Sequence, residues 1–456
     1  MNIKEMILAQ RDFFKTGATK SYDFRIEQLN RLKNSIVKYE SEILKALYDD
    51  LRKSKFEAYT SEVALVVDEI NFMLKNLKSL MKIKKVKMPL LHQPGSSYIK
   101  AEPLGNSLII GPWNYPFQLL FAPLVGSISA GNTAILKTSE VAPFTSTIMK
   151  KILDEIYPSE YVLAIEGGVE TATSLLNEKF DYIFFTGSTV VGKIVMKAAA
   201  EHLTPLTLEL GGKSPCIVDK SVDIRKAARR VVWGKFFNAG QTCIAPDYLL
   251  VNGDIKEEFI DLMKEELEKF YGDNPQDSED YPRIINERHF NRLKSLILKD
   301  KVVAGGVTDL SDKYISPTIM DNISWDDEVM KEEIFGPILP ILEYNDISEA
   351  IDIINTRPKP LALYLFSKDK NVEKDVINNT SSGGVCINDT LSHITTNFLP
   401  FGGVGESGMG SYHGKNSFYT FSHQKSVMKK SCVVDPALKY PPYIPLQKIK
   451  KYLKML

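Results

Sequence analysis

The sequence predicts an α/β protein with two large lobes, and three observations support that fold class. The chain has 456 residues, more than the roughly 250–300 residues at which one hydrophobic core stops growing. Short apolar strands alternate with helix-length segments over much of the chain, as in a parallel sheet covered by helices. A second series of strands and helices begins after Gly211. We therefore expect two α/β domains, each built around its own sheet.

The first 80 residues predict a helical preface. They are rich in charge, and apolar residues such as Val63, Val66 and Ile70 recur at helical spacing. The lysine-rich stretch 82–100 then changes in composition and contains two prolines, which suits an exposed strand pair or a linker. Such a basic run is more typical of a solvated face than of a binding patch.

The strands that follow are read from short apolar runs bounded by turn residues. In the first lobe they are predicted at Ser107–Ile110, Thr133–Leu136, Tyr161–Ile165, Tyr182–Phe185 and Leu206–Leu208. In the second lobe, which extends to about residue 394, they include Cys216–Val218, Tyr248–Val251 and Ala362–Phe366.

Bulk composition argues for a cytoplasmic protein with a small-molecule partner. Lys and Arg number 57 and Asp and Glu number 57, so no net field favours nucleic acid or an anionic membrane. The N-terminus lacks the features of a signal peptide, and no run approaches the ~18 apolar residues of a membrane span. The cysteines lack the close pairing of a zinc or thioredoxin-like motif, so we expect free thiols and no metal site. They are Cys216, Cys243, Cys386 and Cys432.

The last segment, residues 436–456, combines prolines with a lysine-rich amphipathic pattern. Apolar residues Leu446, Ile449 and Leu453 recur at helical spacing among lysines. A docking or surface helix fits this pattern better than a membrane anchor. We therefore expect no stable membrane insertion.

Two glycine motifs are rejected as nucleotide loops of the common kinds. The segment 187–193, G-S-T-V-V-G-K, nearly matches a P-loop, but position 194 is Ile, so the hydroxyl that would bind magnesium is missing. It keeps only the ability of a helix N-terminus to face an anion. The segment 403–408 matches G-x-G-x-x-G but lacks a flanking strand and helix, so we interpret it as a loop.

Three residues are candidates for the chemistry. Cys243 ends the segment F-N-A-G-Q-T-C, where small residues leave a thiol accessible, although a lone cysteine is more often an inert core residue. Glu209 ends a strand before two glycines, where a partly dry carboxylate has the raised pKa of a general base; a solvated Glu is the alternative. Asn114, in G-P-W-N-Y-P, can donate to an oxyanion, although the motif taken alone favours a plain proline-flanked turn and helix start.

Two further motifs suit a dinucleotide. Lys137 and Glu140 lie at a strand end, where ligands of open α/β sheets gather, and their side chains can bind ribose hydroxyls. Glu333 and Phe335, in E-E-I-F-G-P, offer a carboxylate for a second ribose and an aromatic ring beside a nicotinamide. Surface charges and a buried turn phenylalanine are the respective alternatives.

Taken in order, these motifs resemble the aldehyde dehydrogenase superfamily from about Leu104 to Gln424, and the ending P-F-G-G-V-G-E-S-G-M-G from residue 400 resembles its class 3 branch of fatty and aromatic aldehyde dehydrogenases. The resemblance implies that Cys243 is the nucleophile, Glu209 the base and Asn114 the oxyanion donor. It also implies an NAD or NADP site, whose residues would be Trp113, Lys137, Glu140, Gly187, Ser188, Val191, Gly192, Glu333 and Phe335.

The resemblance implies a domain plan as well. An NAD(P)-binding domain on a modified Rossmann sheet would comprise residues 1–80 and 101–207, and a catalytic domain residues 208–396. A small β region, 81–100 with 397–430, would join two subunits into a homodimer, and 431–456 would be a C-terminal tail. Fatty-aldehyde members carry a C-terminal membrane span, from which this short lysine-rich tail departs.

The reaction implied is oxidation of medium- or long-chain aliphatic or aromatic aldehydes to acids through a thiohemiacetal and a thioester on Cys243, with hydrolysis by water that Glu209 activates. A CoA-acylating enzyme is the second hypothesis, against which Glu209 argues because CoA needs no base for hydrolysis. A catalytically silent nucleotide-binding protein is the third. Glu140 would repel a 2′-phosphate, but its side chain can swing away, so the choice between NAD and NADP stays open.

Overall fold

The computed structural model describes residues 2–89, 92–435 and 437–454 and confirms the α/β class. The helices are α1 (Ile3–Lys15), α2 (Tyr22–Lys38), α3 (Glu40–Leu51), α4 (Lys55–Ala58), α5 (Ala64–Leu80), α6 (Gln118–Ala130), α7 (Pro143–Ile156), α8 (Val169–Leu176), α9 (Thr189–Ala200), α10 (Ile224–Phe236), α11 (Lys256–Tyr271), α12 (Glu287–Ser295), α13 (Ile347–Asn355), α14 (Lys370–Asn379), α15 (Lys415–Thr420) and α16 (Leu446–Lys454). The strands are β1 (Lys84–Val86), β2 (Gly95–Pro103), β3 (Asn106–Ile110), β4 (Thr133–Lys137), β5 (Val162–Ile165), β6 (Tyr182–Thr186), β7 (Leu206–Glu209), β8 (Pro215–Val218), β9 (Tyr248–Asn252), β10 (Val302–Ala304), β11 (Thr308–Asp309), β12 (Tyr314–Ile315), β13 (Thr318–Met320), β14 (Ile338–Tyr344), β15 (Ala362–Phe366), β16 (Gly384–Ile387), β17 (Gly408–Met409) and β18 (Ser422–Lys430).

The first sheet has the strand order β17-β7-β6-β3-β4-β5, and all of its pairings are parallel except that of the two-residue strand β17. From β3 the chain moves outward to β4 and β5, then crosses to the other side of β3 to form β6 and β7. The direction of winding therefore reverses between β3 and β6. In open α/β sheets a crevice forms at such a point, beyond the carboxyl ends of the strands, and ligands bind there.

Helix α6 packs against this sheet and lies wholly in the core. Each of its residues is buried, as expected for a helix that is apolar on all sides. Pro123 inside the helix is compatible with this setting because the helix is held by packing on every side. The predicted helical preface is confirmed as α1–α5, and apolar residues of α2, α3 and α5 join the same core cluster as α6.

The second sheet has the order β10-β13-β14-β9-β8-β15-β16, with parallel pairings except between β10 and β13. Strands β8, β9 and β15 are buried along their whole length, as the continuous apolar runs at these positions predict. Two separate sheets of mainly parallel strands thus confirm the prediction of two α/β lobes.

A small antiparallel sheet with the order β1-β2-β18 projects from these lobes. Strand β18 pairs with β2 along nine residues, from Ser422 opposite Pro103 to Lys430 opposite Gly95. The exposed strand pair predicted within residues 82–100 is present as β1 and β2. The lysine-rich end forms helix α16, as its spacing predicts. Among the described helices, none combines the length and apolar character that crossing a bilayer requires.

Candidate active site

A cleft of about 510 Å³ opens at the carboxyl edge of the first sheet and is closed on its other side by the second lobe. It brings together many of the predicted site residues from distant parts of the chain. They are Trp113, Asn114, Gly187, Ser188, Glu209, Cys243, Glu333 and Phe335. Four predicted cofactor residues lie outside the lining of this cleft, namely Lys137, Glu140, Val191 and Gly192.

The loop before Cys243 has an unusual backbone. Asn238, Ala239 and Gly240 have consecutive positive φ angles of 53°, 50° and 72°. For the two residues that are not glycine this conformation costs of order 1–3 kcal/mol each, so the surroundings must hold it in place. The Asn238 side chain donates to the Gln241 carbonyl at 3.1 Å, and the Gln241 side chain donates back to the Asn238 carbonyl at 3.1 Å. At Gly240 an added Cβ would lie 2.2 Å from the carbonyl oxygen of Gly336, so no larger residue fits.

Cys243 is half-buried and lines the cleft. Burial of the sulfur raises its pKa well above the usual range, and the charges of Glu333 and Glu209 raise it further. The thiol is therefore protonated at neutral pH in the protein without ligands. A nearby positive charge would favour the thiolate, which is the nucleophilic form.

Asn114 lies beside the Cys243 loop and is held from both sides. Its side-chain amide donates to the Gln241 carbonyl at 3.0 Å. Its own carbonyl accepts hydrogen bonds from Lys53 Nζ at 2.9 Å and from the Asn238 amide at 3.0 Å. The Asn114 amide is thus fixed next to the loop that carries the thiol, as an oxyanion donor must be.

A buried ion pair anchors the turn that contains Asn114. Lys53 and Glu62 are fully buried, and their charged atoms are 2.6 Å apart. The second oxygen of Glu62 accepts from the backbone N–H groups of Phe117 and Gln118, at 2.9 and 3.1 Å. The pair therefore joins the helical preface to the start of α6 and supports Asn114 from behind.

Glu209 sits at the end of β7, and 2% of its surface is exposed. Within the described part of the chain, neither of its carboxylate oxygens has a hydrogen-bond partner. Burial raises the pKa of this carboxyl well above its ordinary value. A carboxyl with a raised pKa that faces a cleft has the properties of a general base for water.

Glu333 and the aromatic residues form the opposite wall. Burial raises the pKa of Glu333 to about 8, and the nearby Asp247 adds to the rise. The carboxylate packs against the backbone after β7, where an added Cβ on Gly211 would lie 2.2 Å from Glu333 Oε2. The ring of Trp113 contacts that of Phe335, with centroids 5.4 Å apart, and that of His289, at 4.8 Å. This wall offers flat apolar surfaces beside a carboxylate.

Lys137 and Glu140 lie at the end of β4, farther along the same sheet edge. Lys137 is buried and donates to Glu140 Oε2 at 2.8 Å, while the Glu140 side chain is 45% exposed. Although partial burial acts in the opposite direction, the hydrogen bond from Lys137 lowers the pKa of Glu140. The Glu140 carboxylate is thus ionised at neutral pH and can accept hydrogen bonds from hydroxyl groups.

The turn from β6 into α9 presents a helix N-terminus to the cleft. Ser188 caps the helix by accepting from the Val191 N–H at 3.4 Å. The close approach of the turn to the sheet needs glycine at 187, where a Cβ would lie 2.6 Å from the ring of Phe185. At Gly192 a Cβ would lie 2.7 Å from Leu210. The glycine-containing turn and the N-terminus of α9 fit the phosphates of a dinucleotide, and the carboxylates of Glu140 and Glu333 fit its riboses.

Several residues of the cleft were missed by sequence reasoning. The lining also contains Thr186, Lys213, His289, Arg292 and Glu406. Lys213 follows Glu209 in the same motif, so that motif was an available signal for it. His289 and Arg292 are three residues apart on α12, a spacing that places two side chains on one face of a helix. No metal site of three or more His, Cys, Asp or Glu side chains is present among the residues the structure describes.

The doubly wound sheet, its cradled helix end and the cysteine opposite Glu209 define the class of the protein, a dinucleotide-dependent oxidoreductase. Residues 1–427 match the aldehyde dehydrogenase family. The chain is 51% identical to the 4,4'-diaponeurosporen-aldehyde dehydrogenase of Staphylococcus aureus over 443 residues, which cover 97% of this chain and 96% of that protein. The structure of Staphylococcus aureus AldH in a substrate-bound state superimposes with a TM-score of 0.97, at 49% identity, over 100% of this chain and 99% of that one. The chain belongs to the aldehyde dehydrogenase family.

Two mammalian relatives refine this assignment. Aldehyde dehydrogenase family 3 member A2 of Macaca fascicularis is 49% identical and covers 95% of this chain and 90% of its own. The dimeric NADP-preferring aldehyde dehydrogenase of Mus musculus is 49% identical, over 97% of this chain and 98% of that protein. The predicted class 3 branch is confirmed, as are NAD(P)-dependent aldehyde oxidation and the NAD or NADP cofactor.

Proposed function

We propose that the protein oxidises apolar aldehydes to carboxylic acids with Cys243 as nucleophile, Asn114 as oxyanion donor and Glu209 as general base. The single observation that carries this proposal is the buried Glu209 carboxylate, which has no hydrogen-bond partner among the described residues, in the same cleft as the half-buried Cys243. A buried carboxyl without hydrogen bonds lowers the stability of the fold, so its presence in a cleft indicates that it acts on a ligand or a water molecule.

Each step of the proposed aldehyde oxidation uses a group in the cleft. The thiolate of Cys243 adds to the aldehyde carbon, and the oxygen becomes an alkoxide that the Asn114 amide stabilises by hydrogen bonding. The carbonyl then re-forms as a hydride leaves the former aldehyde carbon, which gives a thioester on Cys243. NAD or NADP supplies the hydride acceptor when it is bound. Glu209 then takes a proton from water as the water oxygen attacks the thioester carbon. The carbon–sulfur bond breaks, which releases the acid and returns the Cys243 thiolate.

The cofactor would be held by the residues that line the sheet edge and the far wall. Gly187, Ser188, Val191 and Gly192 shape the helix end that would face the phosphates. One ribose would form hydrogen bonds through its hydroxyl groups with Lys137 and Glu140. The other ribose would do so with Glu333. Trp113 and Phe335 offer aromatic faces beside Glu333.

We propose aliphatic or aromatic aldehydes of medium or long chain as substrates. The relative named as a 4,4'-diaponeurosporen-aldehyde dehydrogenase and the family 3 relatives support an aldehyde substrate. Asn114 is flanked in the chain by aromatic residues, and Cys243 is followed by the apolar Ile244. The hydroxyl of Tyr115 forms a hydrogen bond with Thr242, in the loop of Cys243, at 2.6 Å. The protein would act in the cytoplasm, as its composition suggests.

We propose a homodimer formed through the small sheet. Strand β18 is paired with β2 on one side, and in the described part of the chain no strand pairs with its other edge, which presents N–H and C=O groups along its nine residues. A long exposed edge favours pairing with another chain. The relative named as dimeric supports this assembly. The division into a cofactor domain (1–80 and 101–207), a catalytic domain (208–396), a bridging region (81–100 and 397–430) and a tail (431–456) belongs to the same proposal.

The test follows the absorbance of reduced cofactor when the protein meets NAD or NADP and a panel of aliphatic and aromatic aldehydes, with and without CoA. We expect turnover without CoA and none for a Cys243→Ala variant. Cys216→Ala is the matched control, because Cys216 is buried in β8 away from the cleft. Turnover that depends on CoA would favour the acylating alternative. No turnover with any aldehyde would favour a silent nucleotide-binding protein.

A further inference from the structure

A second group of buried polar side chains lies on the side of the first sheet that carries Glu209. Besides both Glu209 oxygens, the buried atoms Thr186 Oγ1, Gln118 Nε2 and Tyr412 Oη have no hydrogen-bond partner among the residues that the structure describes. The three side chains come from β6, from the first residue of α6 and from the loop after β17. Each is more than nine-tenths buried.

Strand register places these groups on one side of the sheet. Thr186 is the direct partner of Glu209 in the parallel pairing of β6 with β7, so their side chains project from the same face. Phe184, two residues before Thr186, projects from that face as well, and its ring contacts the Tyr412 ring at a centroid distance of 5.1 Å. Thr186 and Glu209 both line the cleft.

Tyr412 is held firmly against this face. Its backbone exchanges two hydrogen bonds with Phe401, at 2.8 and 3.1 Å. Burial raises the pKa of its phenol well above the ordinary value, and the charges of Glu209 and Cys243 raise it further. The Gln118 side chain lies close enough to the phenol to lower this pKa, although the geometry is not that of a hydrogen bond. The neutral hydroxyl of Tyr412 is therefore within electrostatic reach of the base and of the nucleophile.

These groups are complementary to water. Leaving a buried polar group unsatisfied costs about 1–3 kcal/mol, and a buried water typically makes about three hydrogen bonds. The hydroxyls of Thr186 and Tyr412 and the amide of Gln118 can donate, and the Glu209 carboxylate can accept. Such a set can orient a water oxygen toward a carbon atom while the carboxylate receives its proton.

We propose that Tyr412, Gln118 and Thr186 are positioning residues that hold the hydrolytic water against Glu209. This inference rests on the proposed function, since it deepens the role of Glu209. In the step concerned, the water oxygen bonds to the thioester carbon and its proton passes to Glu209. The carbon–sulfur electron pair stays on sulfur, which leaves the thiolate and a carboxylic acid. The three residues act on this step and not on hydride transfer.

The experiment measures the two steps separately. Stopped-flow absorbance with NAD and a turnover aldehyde gives the first burst of reduced cofactor, which reports hydride transfer, and the later steady rate, which includes thioester hydrolysis. For Tyr412→Phe, which removes one oxygen atom, we expect an unchanged burst rate and a steady rate lower by roughly tenfold, the loss of one hydrogen bond in the transition state. The pH profile of the steady rate should shift as well, because the phenol lies near Glu209.

Two variants make the result decisive. Tyr157→Phe is the matched control, since Tyr157 is a buried phenol of the same lobe whose hydroxyl donates to the Gln28 carbonyl at 2.7 Å; its burst and steady rate should both match wild type. Glu209→Gln should slow the steady rate more than Tyr412→Phe. If Glu209→Gln slows hydrolysis and Tyr412→Phe does not, the inference is overturned and the proposed function stands. If Glu209→Gln leaves hydrolysis unchanged, the proposed role of Glu209 is itself wrong.

Discussion

The buried ion pair between Lys53 and Glu62 allows a sharp test of how the oxyanion donor is supported. Both side chains are inaccessible to solvent, and Lys53 Nζ donates to the carbonyl of Asn114 as well as to Glu62. The perturbations are Lys53→Met, Glu62→Gln and the double variant. Each single change leaves one buried charge without its counter-ion, whereas the double change removes both charges.

The structure sets the expected magnitudes. Removing one partner of a buried ion pair typically costs about 3–5 kcal/mol. For Lys53→Met we expect the lower end, about 3 kcal/mol, because Glu62 keeps two backbone N–H donors. For Glu62→Gln we expect about 4 kcal/mol, since among the described residues Lys53 loses its hydrogen-bonded carboxylate. It keeps the Asn114 carbonyl, the ring of Tyr115 with its centroid 4.0 Å away and the more distant Glu57 carboxyl. The double variant should be no less stable than either single variant.

The assay compares midpoints of thermal unfolding, followed by circular dichroism under one set of conditions, with the kcat of aldehyde oxidation. Lys38→Met is the control, because Lys38 forms an exposed ion pair with Glu155 and should hardly move the midpoint. Loss of an oxyanion donor costs about 10²–10³ in kcat, so partial displacement of Asn114 should lower kcat by roughly tenfold in Lys53→Met. The reasoning is refuted if Lys53→Met behaves like Lys38→Met, or if the effects of the two single changes add in the double variant.

Two further predictions concern the cofactor wall. The carboxyl of Glu333, with a pKa of about 8, is mainly protonated below that pH, while the ionised form is the one that accepts from ribose hydroxyls. Fluorescence titration with reduced cofactor should therefore show affinity falling as the pH drops from 8 to 6, at most about tenfold per pH unit, and Glu333→Gln should abolish this dependence. Gly211→Ala should raise the KM for cofactor about tenfold or more, since the new Cβ would lie 2.2 Å from Glu333 Oε2. Gly168→Ala, where a Cβ meets nothing within 4 Å, should leave that KM unchanged, and equal effects of the two alanines would contradict the steric argument.

Much of the fold was predictable because its strands are short apolar runs bounded by turn residues. The predicted strand Ala362–Phe366 has the observed bounds, and those at Tyr182 and Leu206 end one residue later in the structure. The extra residue of β7 is Glu209, a buried carboxylate that the apolar pattern could not include. The site lies at the carboxyl ends of the strands, so the series of apolar runs that predicted the sheet also indicated the position of the cleft.

The supporting residues were not predictable from their own neighbourhoods. Gln118 and Tyr412 are far apart in the chain, and each stands in a segment that would suit an ordinary core residue. Their relation to Glu209 comes from sheet register and from the loop after β17, which are tertiary features. The positive φ angles of Asn238 and Ala239 were also hidden, because alanine gives no sequence signal of such a conformation and asparagine only a weak one.

The electrostatics of the cleft connect its parts. Burial raises the pKa values of Cys243, Glu209 and Glu333, so at neutral pH these three groups carry little negative charge in the ligand-free site. The two carboxyls and the thiol oppose one another's ionisation, because each negative charge disfavours the next. A cationic ring placed among them would favour the charged form of all three at once. The same arrangement that keeps the thiol unreactive in the empty cleft would therefore make nucleophile and base available together when the oxidised cofactor binds.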